Sequence, residues 1–287
     1  MLAKSTIQLL RFHFSLFLMP VYWFALTQLN DINPVNAIII FCIIHFLIYP
    51  ASNGYNSYMD RDESPIGGIA KPLQPTKQLF YVTLGMDIAA FLLSFIISYW
   101  FALGTLIYIT GSRIYSYRGI RVKKYPLFGY LCVILLQGGM IFWMVYHGSS
   151  AILRTNMPLA AMISASLLIG GFYPLTQIYQ HKQDLADGVT TISYKLGYKK
   201  TFLFCAAIYG LAMIFLTYTF FSSLMFKEFF ILLIFFLPVF VYFFWWAAKV
   251  WKTEAAADFV NTMRMNVLAS TCTNAAFITV LIMNQFE

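Results

Sequence analysis

Residues 53–63 read NGYNSYMDRDE, and residues 177–187 read QIYQHKQDLAD. Both segments follow one pattern: an amide, two residues, an amide, three residues, an Asp, two residues and an acid. Asn53 matches Gln177, Asn56 matches Gln180, Asp60 matches Asp184 and Glu63 matches Asp187. Each partner lies 124 residues further along (177 minus 53, 184 minus 60). Steps of three and four place all four side chains on one face of an α-helix. Each segment also closes a long apolar stretch. Two helices thus carry the same amide-and-carboxylate stripe at the same membrane depth, which suggests two related helical halves, about 1–124 and about 125–287, facing one another.

The composition around these segments is that of a bilayer protein. Of 287 residues, 60% are apolar and 10% charged, with 29 Phe and 19 Tyr; the mean hydropathy is +0.72. A soluble domain carries about 25% charged residues to keep its surface wet. A disordered chain, a disulfide scaffold and an ordinary cytosolic enzyme are excluded. Cys42, Cys132, Cys205 and Cys272 stand singly in apolar stretches and read as small buried hydrophobes. A spanning helix needs about 20 apolar residues, and nine stretches qualify, roughly 8–29, 35–57, 79–98, 100–117, 126–147, 156–178, 201–222, 228–249 and 265–284. No small-residue cleavage site ends the first, so it reads as a retained span.

Charge orients the spans. With the N-terminus inside and loops alternating, all of the 19 Lys and Arg residues except Arg154 and Lys227 fall on one side, a strong positive-inside bias. The C-terminus then lies on the opposite side. The net charge of +8 belongs to a cytoplasmic membrane face, and no nucleic-acid partner is expected. The expectation is an integral protein of a bacterial inner membrane, with its N-terminus and acid-bearing loops cytoplasmic.

The donor types point to a chemistry. Carboxylates and amide carbonyls are hard oxygen ligands suited to Mg2+, which commonly sits between one or two carboxylates and substrate phosphates. Beside the acids lie Arg118, Arg121, Lys123 and Lys124 in YSYRGIRVKKYP and Lys71 in GGIAKPL. Acids, a hard metal and clustered cations at a membrane surface describe a site for a lipid diphosphate. The amides Asn53, Gln177 and Gln180 fit ligands or phosphate contacts and equally interhelical hydrogen bonds, while Asn56 reads first as a ligand or phosphate contact. Asp62 points away from the stripe if its helix continues, but Pro65 and Gly67–Gly68 predict a break there. Asp87, in mid-span, reads as a neutral acid or a group of a second site. His13, His45 and His147 read as packed polar residues.

On these residues the chain resembles the UbiA superfamily of intramembrane prenyltransferases. That family has about nine transmembrane helices and two Asp-rich motifs, N-x3-D-x3-D after the second helix and D-x3-D after the sixth. Asn56 and Asp60 match the start of the first motif, whose last Asp falls at Ser64, so Asp62 or Glu63 must substitute. Asp184 lies four residues before Gly188, as the second Asp of the other motif does before its Gly, and the first falls at Gln180. TTISYKLG resembles the Thr…Leu-Gly tail, IRVKKYP the R-x-K segment after the fourth helix, and Lys71-Pro72-Leu73 the end of the first active loop.

The resemblance covers essentially the whole chain. It implies an all-α integral membrane protein of about nine helices, in two related halves around a central cavity. It implies one or two Mg2+ ions held by Asp60 and Asp184 with Asn56 and Gln180, and Asp62, Glu63 and Asp187 as further candidates. Arg121 and Lys123, with Lys71, Arg118, Asn53 and Gln177, would take the diphosphate, and Asp60, Asp184 and Asn56 would be the catalytic set. The implied reaction moves a prenyl group from a prenyl diphosphate to an acceptor, an aromatic ring, within the membrane, as in quinone and lipid-type biosynthesis. Two rivals remain beside it. One is a transporter or lipid-binding protein using the repeat as its site; the other is a catalytically weakened homologue, motivated by Gln180 and Ser64.

Overall fold

The computed structural model describes residues 1–286, and its regular elements are helices. Among the described residues nine long helical segments follow one another. These are α1 (Lys4–Thr27), α2 (Pro34–Asp60), α3 (Lys77–Ser94), α4 (Tyr99–Ser116), α5 (Pro126–Ser149), α6 (Leu159–Ala186), α7 (Tyr198–Ser222), α8 (Phe226–Lys252) and α9 (Phe259–Phe286). They fall where the apolar stretches predict helices. Seven are long and apolar enough to cross a membrane, while α3 and α4, 18 residues each, are not among them. Both of these carry a charge within the apolar run, and the two charges meet. Arg113 of α4 donates from Nε to Asp87 Oδ2 of α3 at 2.7 Å and again from Nη2, and its guanidinium lies 3.9 Å over the Tyr55 ring. Asp87 is therefore an ion-pair partner between helices, and a buried carboxylate of this kind is tolerated because it is paired.

Local chemistry sets the helix starts. Asn33 accepts from the backbone N–H groups of Val35 and Asn36 at 3.1 and 3.2 Å, ahead of Pro34 at the first helical position. Ser98 caps α4 by accepting from Phe101 N–H at 3.0 Å. Lipid supplies no hydrophobic drive between helices, so they associate through small residues that admit close contact. Gly138 of α5 abuts Ser166 of α6 so closely that a Cβ would lie 2.4 Å from the Ser166 Cα. At the centre Phe24 of α1 stacks on Phe277 of α9 at 4.7 Å and meets Phe142 of α5 at 5.3 Å. Large apolar side chains such as Ile38, Ile214 and Ile234 are exposed outside, as a lipid-facing surface requires.

Four helices depart from regular α geometry: α1 breaks at left-handed Arg11 and tightens into a 3-10 turn over Phe12–Phe14, and three others change pitch. α2 widens into a π-turn over Ile43–Ile48, α5 does so over Ile134–Met140, and α6 tightens into a 3-10 helix over Tyr173–Gln180. Such segments re-aim side chains and recur at functional sites. In α6 the tight turn eclipses residues three apart, so Gln177 and Gln180 share a face by a geometry other than the α-helical one that their spacing predicts.

Candidate active site

α2 ends at Asp60 because Arg61 turns left-handed (φ 54°) and donates its N–H to Ser57 O at 3.0 Å. The Asp60 side chain is buried and has three partners. Asn56 Nδ2 donates to Oδ2 at 2.9 Å, Arg121 Nη2 to Oδ1 at 3.2 Å, and Lys123 Nζ also reaches Oδ2. Arg121 is itself left-handed (φ 52°). It donates from Nη1 to Asp187 O at 2.9 Å and from Nη2 to the Asp187 carboxylate. Burial opposes the Arg121 charge, but the Asp187 hydrogen bond and the Asp60 charge outweigh it and raise its pKa. Burial likewise opposes the Asp187 carboxylate, and the Arg121 hydrogen bond holds it below the usual range. Arg118 completes the span, donating to Met59 O at 2.6 Å and to Asp187 Oδ1 at 3.2 Å. The basic loop thus ties the end of α2 to the end of α6.

The left-handed turn at Arg61 settles Asp62, which faces the same cavity as Asp60. Its Oδ1 accepts from Gln183 Nε2 at 2.5 Å. Burial, and then the charge of Asp60, push its carboxyl up to about 6. Ser64 donates to Gln183 Oε1, and Gln180 Nε2 donates to Pro65 O at 3.4 Å. Where the resembled motifs have acids, Ser64 and Gln180 make neutral contacts across the two segments.

Asp60, Asp62 and Asp184 line one cavity of about 150 Å³ together with Asn56, Gln177, Gln180 and Lys123. Gln177 also accepts from Ser193 N–H at 3.4 Å. Other expected residues lie elsewhere. Arg118 is exposed, and Arg121 and Asp187 pair at the rim outside the cavity lining. Glu63 and Lys71 are exposed and away from the cavity. Asn53 faces a neighbouring polar pocket of about 110 Å³, with Ser52, Ser112 and Gln137, which adjoins the acid cavity at Asn56 and Tyr115.

Sequence reasoning missed Arg11. It sits in α1 in a left-handed conformation (φ 48°), 8% exposed, and donates to Asn53 O at 3.2 Å and Gly67 O at 3.5 Å. Its Nε is buried without a partner, and the residue lines the acid cavity and the polar pocket. The signal was a cation inside an apolar stretch, which alone marks a functional candidate. Gly67 permits this packing: a Cβ there would stand 2.6 Å from the Phe14 ring. Three arginines in strained backbone conformations at one site fit a pattern in which strain of about 1–3 kcal/mol each is retained where function fixes geometry. Phe14, Tyr173 and Thr176 are shared with a largely apolar cavity of about 160 Å³ that continues between α1, α6 and α9.

The oxygen donors of the acid cavity suit a hard cation. Among the described residues no three His, Cys, Asp or Glu side chains converge tightly enough to hold an ion alone. That arrangement fits Mg2+, which is typically held by one or two carboxylates and completed by substrate oxygens and water.

A family model described as the UbiA prenyltransferase family matches residues 17–268. No curated protein matches the chain in sequence. Among solved structures, a UbiA homologue from Archaeoglobus fulgidus bound to DMAPP and Mg2+ superposes with a TM-score of 0.72 at 15% identity, covering 97% of this chain and 99% of that one. A UbiA homologue from Aeropyrum pernix K1, in its apo form, gives 0.71 at 14% identity over 94% and 98%. A structure of digeranylgeranylglyceryl phosphate synthase gives 0.63 at 18% identity over 97% and 98%. At these identities the likeness is one of fold.

Proposed function

The chain belongs to the UbiA prenyltransferase family, and from that premise we propose that it transfers a prenyl group from a prenyl diphosphate to an aromatic acceptor at the membrane. The observation that carries this reading is the junction of an acid-lined head cavity with an apolar one through Phe14, Tyr173 and Thr176. A prenyl diphosphate has that division, a charged head and an apolar tail.

Asp60 and Asp184, helped by Asn56 and Gln180 and with Asp62 beside them, would hold Mg2+ together with diphosphate oxygens. The neutral contacts at Ser64 and Gln180 favour a single ion. When bound, Mg2+ neutralises charge gathering on the departing diphosphate. Lys123 and Arg11 face the cavity, and Arg121 pairs at its rim with Asp60 and Asp187; together these cations would orient the diphosphate oxygens, Arg by its planar fork and Lys as a point charge. As the C–O bond breaks, the allylic carbon becomes cationic, and the aromatic walls of Phe14, Tyr115 and Tyr173 both exclude water and face it with π density; a ring carbon of the acceptor then bonds to it and gives up its proton, so that a prenylated ring, a proton and diphosphate are the products. The polar pocket beside Asn56, with its hydroxyls and amides, is the place for a hydroxylated aromatic acceptor. Structures of a UbiA homologue from Archaeoglobus fulgidus bound to DMAPP and Mg2+ and to GPP and Mg2+ support the donor class.

The test is purified protein incubated with labelled prenyl diphosphates and a panel of aromatic acceptors, with Mg2+ or with excess chelator. Mg2+-dependent pyrophosphate release with a prenylated product is the expected result. Binding without turnover at any metal concentration would move a transport or lipid-binding role to the front.

A further inference from the structure

Resting on the prenyl-donor reading, we infer that His181 is a positioning residue: through Ser193 it turns the N–H edge of Gln177 into the acid cavity, where that edge takes an oxygen of the diphosphate. His181 and Ser193 are buried, 6% and 0% exposed, and neither lines the cavity. His181 Nε2 lies 2.8 Å from Ser193 Oγ, and Thr201 Oγ1 lies 3.3 Å from the same hydroxyl. The His181 ring also stacks on Tyr198, with centroids 4.8 Å apart. These contacts hold the segment 188–197, between α6 and α7, against the 3-10 turn of α6. Val189 and Thr191 of that segment line the acid cavity, and Val189 N–H donates to Asp184 O at 2.8 Å.

The consequence falls on Gln177, which lines the same cavity. An amide has an accepting edge and a donating one. Ser193 N–H, which can only donate, reaches Gln177 Oε1 at 3.4 Å. That contact draws the oxygen towards the segment and leaves Nε2, with its two donors, as the group open to a ligand. Donors suit an anion, whereas a metal ion needs the oxygen. Asn56 has the opposite setting: its Nδ2 is spent on Asp60, so its oxygen is the group left for a cation. Two amides of one cavity thus divide the ligand between them, Asn56 serving the ion and Gln177 the diphosphate.

The experiment measures, on the intact detergent-purified protein with Mg2+, the dissociation constant of a non-reactive geranyl thiodiphosphate. KM is measured beside it for geranyl diphosphate and for one aromatic acceptor. His181→Phe keeps an aromatic ring and removes the nitrogen. It is expected to weaken analogue binding and raise the donor KM by roughly tenfold, the scale of one hydrogen bond to a charged oxygen, with the acceptor KM unchanged. Gln177→Leu should give the same loss, and adding His181→Phe to it nothing more, because the histidine acts through the amide. His181→Gln, whose amide stands the same number of bonds from Cβ as Nε2, is expected to restore binding. If His181→Phe does not fold, Ser193→Ala makes the same cycle with Gln177→Leu. Losses that add, or that fall equally on donor and acceptor, overturn the assignment. Wild-type protein that binds the analogue but turns over no donor refutes the transferase reading alone, and the cycle is then read on binding. Wild-type protein that binds no analogue removes both.

Discussion

Asp60 shows how the site is charged: one buried carboxylate with an amide, a lysine and an arginine around it. Exchanging it for Asn keeps shape and removes the charge that would hold an ion. Asp60→Asn and Asp184→Asn are each expected to lower turnover by roughly 10²–10³, the usual loss for one stabiliser of transition-state charge. Thermal midpoints near wild type in the same samples would confirm that the fold is intact. Full turnover in both variants, or in excess chelator, would defeat the site assignment. Gln180→Asp adds a carboxylate to the cavity, and the expected outcome is tighter Mg2+ binding by titration, with activity retained. Spacing made Asn56, Asp60, Gln180 and Asp184 legible, because helical periodicity is written directly in sequence. It did not reveal that Asp62 joins them, since that depends on a left-handed turn at Arg61 which arginine rarely adopts. Nor did it single out Arg11, whose positive charge was absorbed into the topology count.

At the level of elements, α3 and α4 depend on one another. Asp87→Ala leaves the half-buried Arg113 guanidinium without its carboxylate, and unfolding in detergent should show a loss of up to about 3 kcal/mol. Asp87→Leu combined with Arg113→Met should cost much less than either single change, because no charge is then stranded. A loss in the double variant equal to the sum of the two single losses would show that the pair is not coupled. The long apolar runs fixed the existence and order of the helices. Where they end was less visible: α6 runs on to Ala186, past the apolar stretch expected to end near residue 178, because its final turns carry the polar stripe and still hydrogen-bond as helix. The 3-10 tightening at Tyr173–Gln180 left no mark in residue type beyond Pro174.

For the whole molecule, the lopsided distribution of Lys and Arg leads to one test. Single-cysteine accessibility labelling is expected to find the N-terminus on the cytoplasmic face and the C-terminus across the membrane. Both termini on one face would rule out nine crossings. The loop that carries Arg118, Arg121 and Lys123 joins the ends of α2 and α6 by pairing with Asp60 and Asp187. Asp60 and Asp187 thus each have cation partners among Arg118, Arg121 and Lys123. A divalent cation arriving alone must compete with Lys123 and Arg121 for Asp60, and a diphosphate arriving alone must draw those cations away from their acids. Arriving together, the two supply each side with a replacement partner, so every ion pair broken is matched by one made. On the proposed function, the affinities for metal and diphosphate are therefore expected to be linked, each raising the other by the same factor. A Mg2+ titration repeated with a non-reactive diphosphate analogue present would measure that factor, and a protein built this way admits its two charged ligands as a pair.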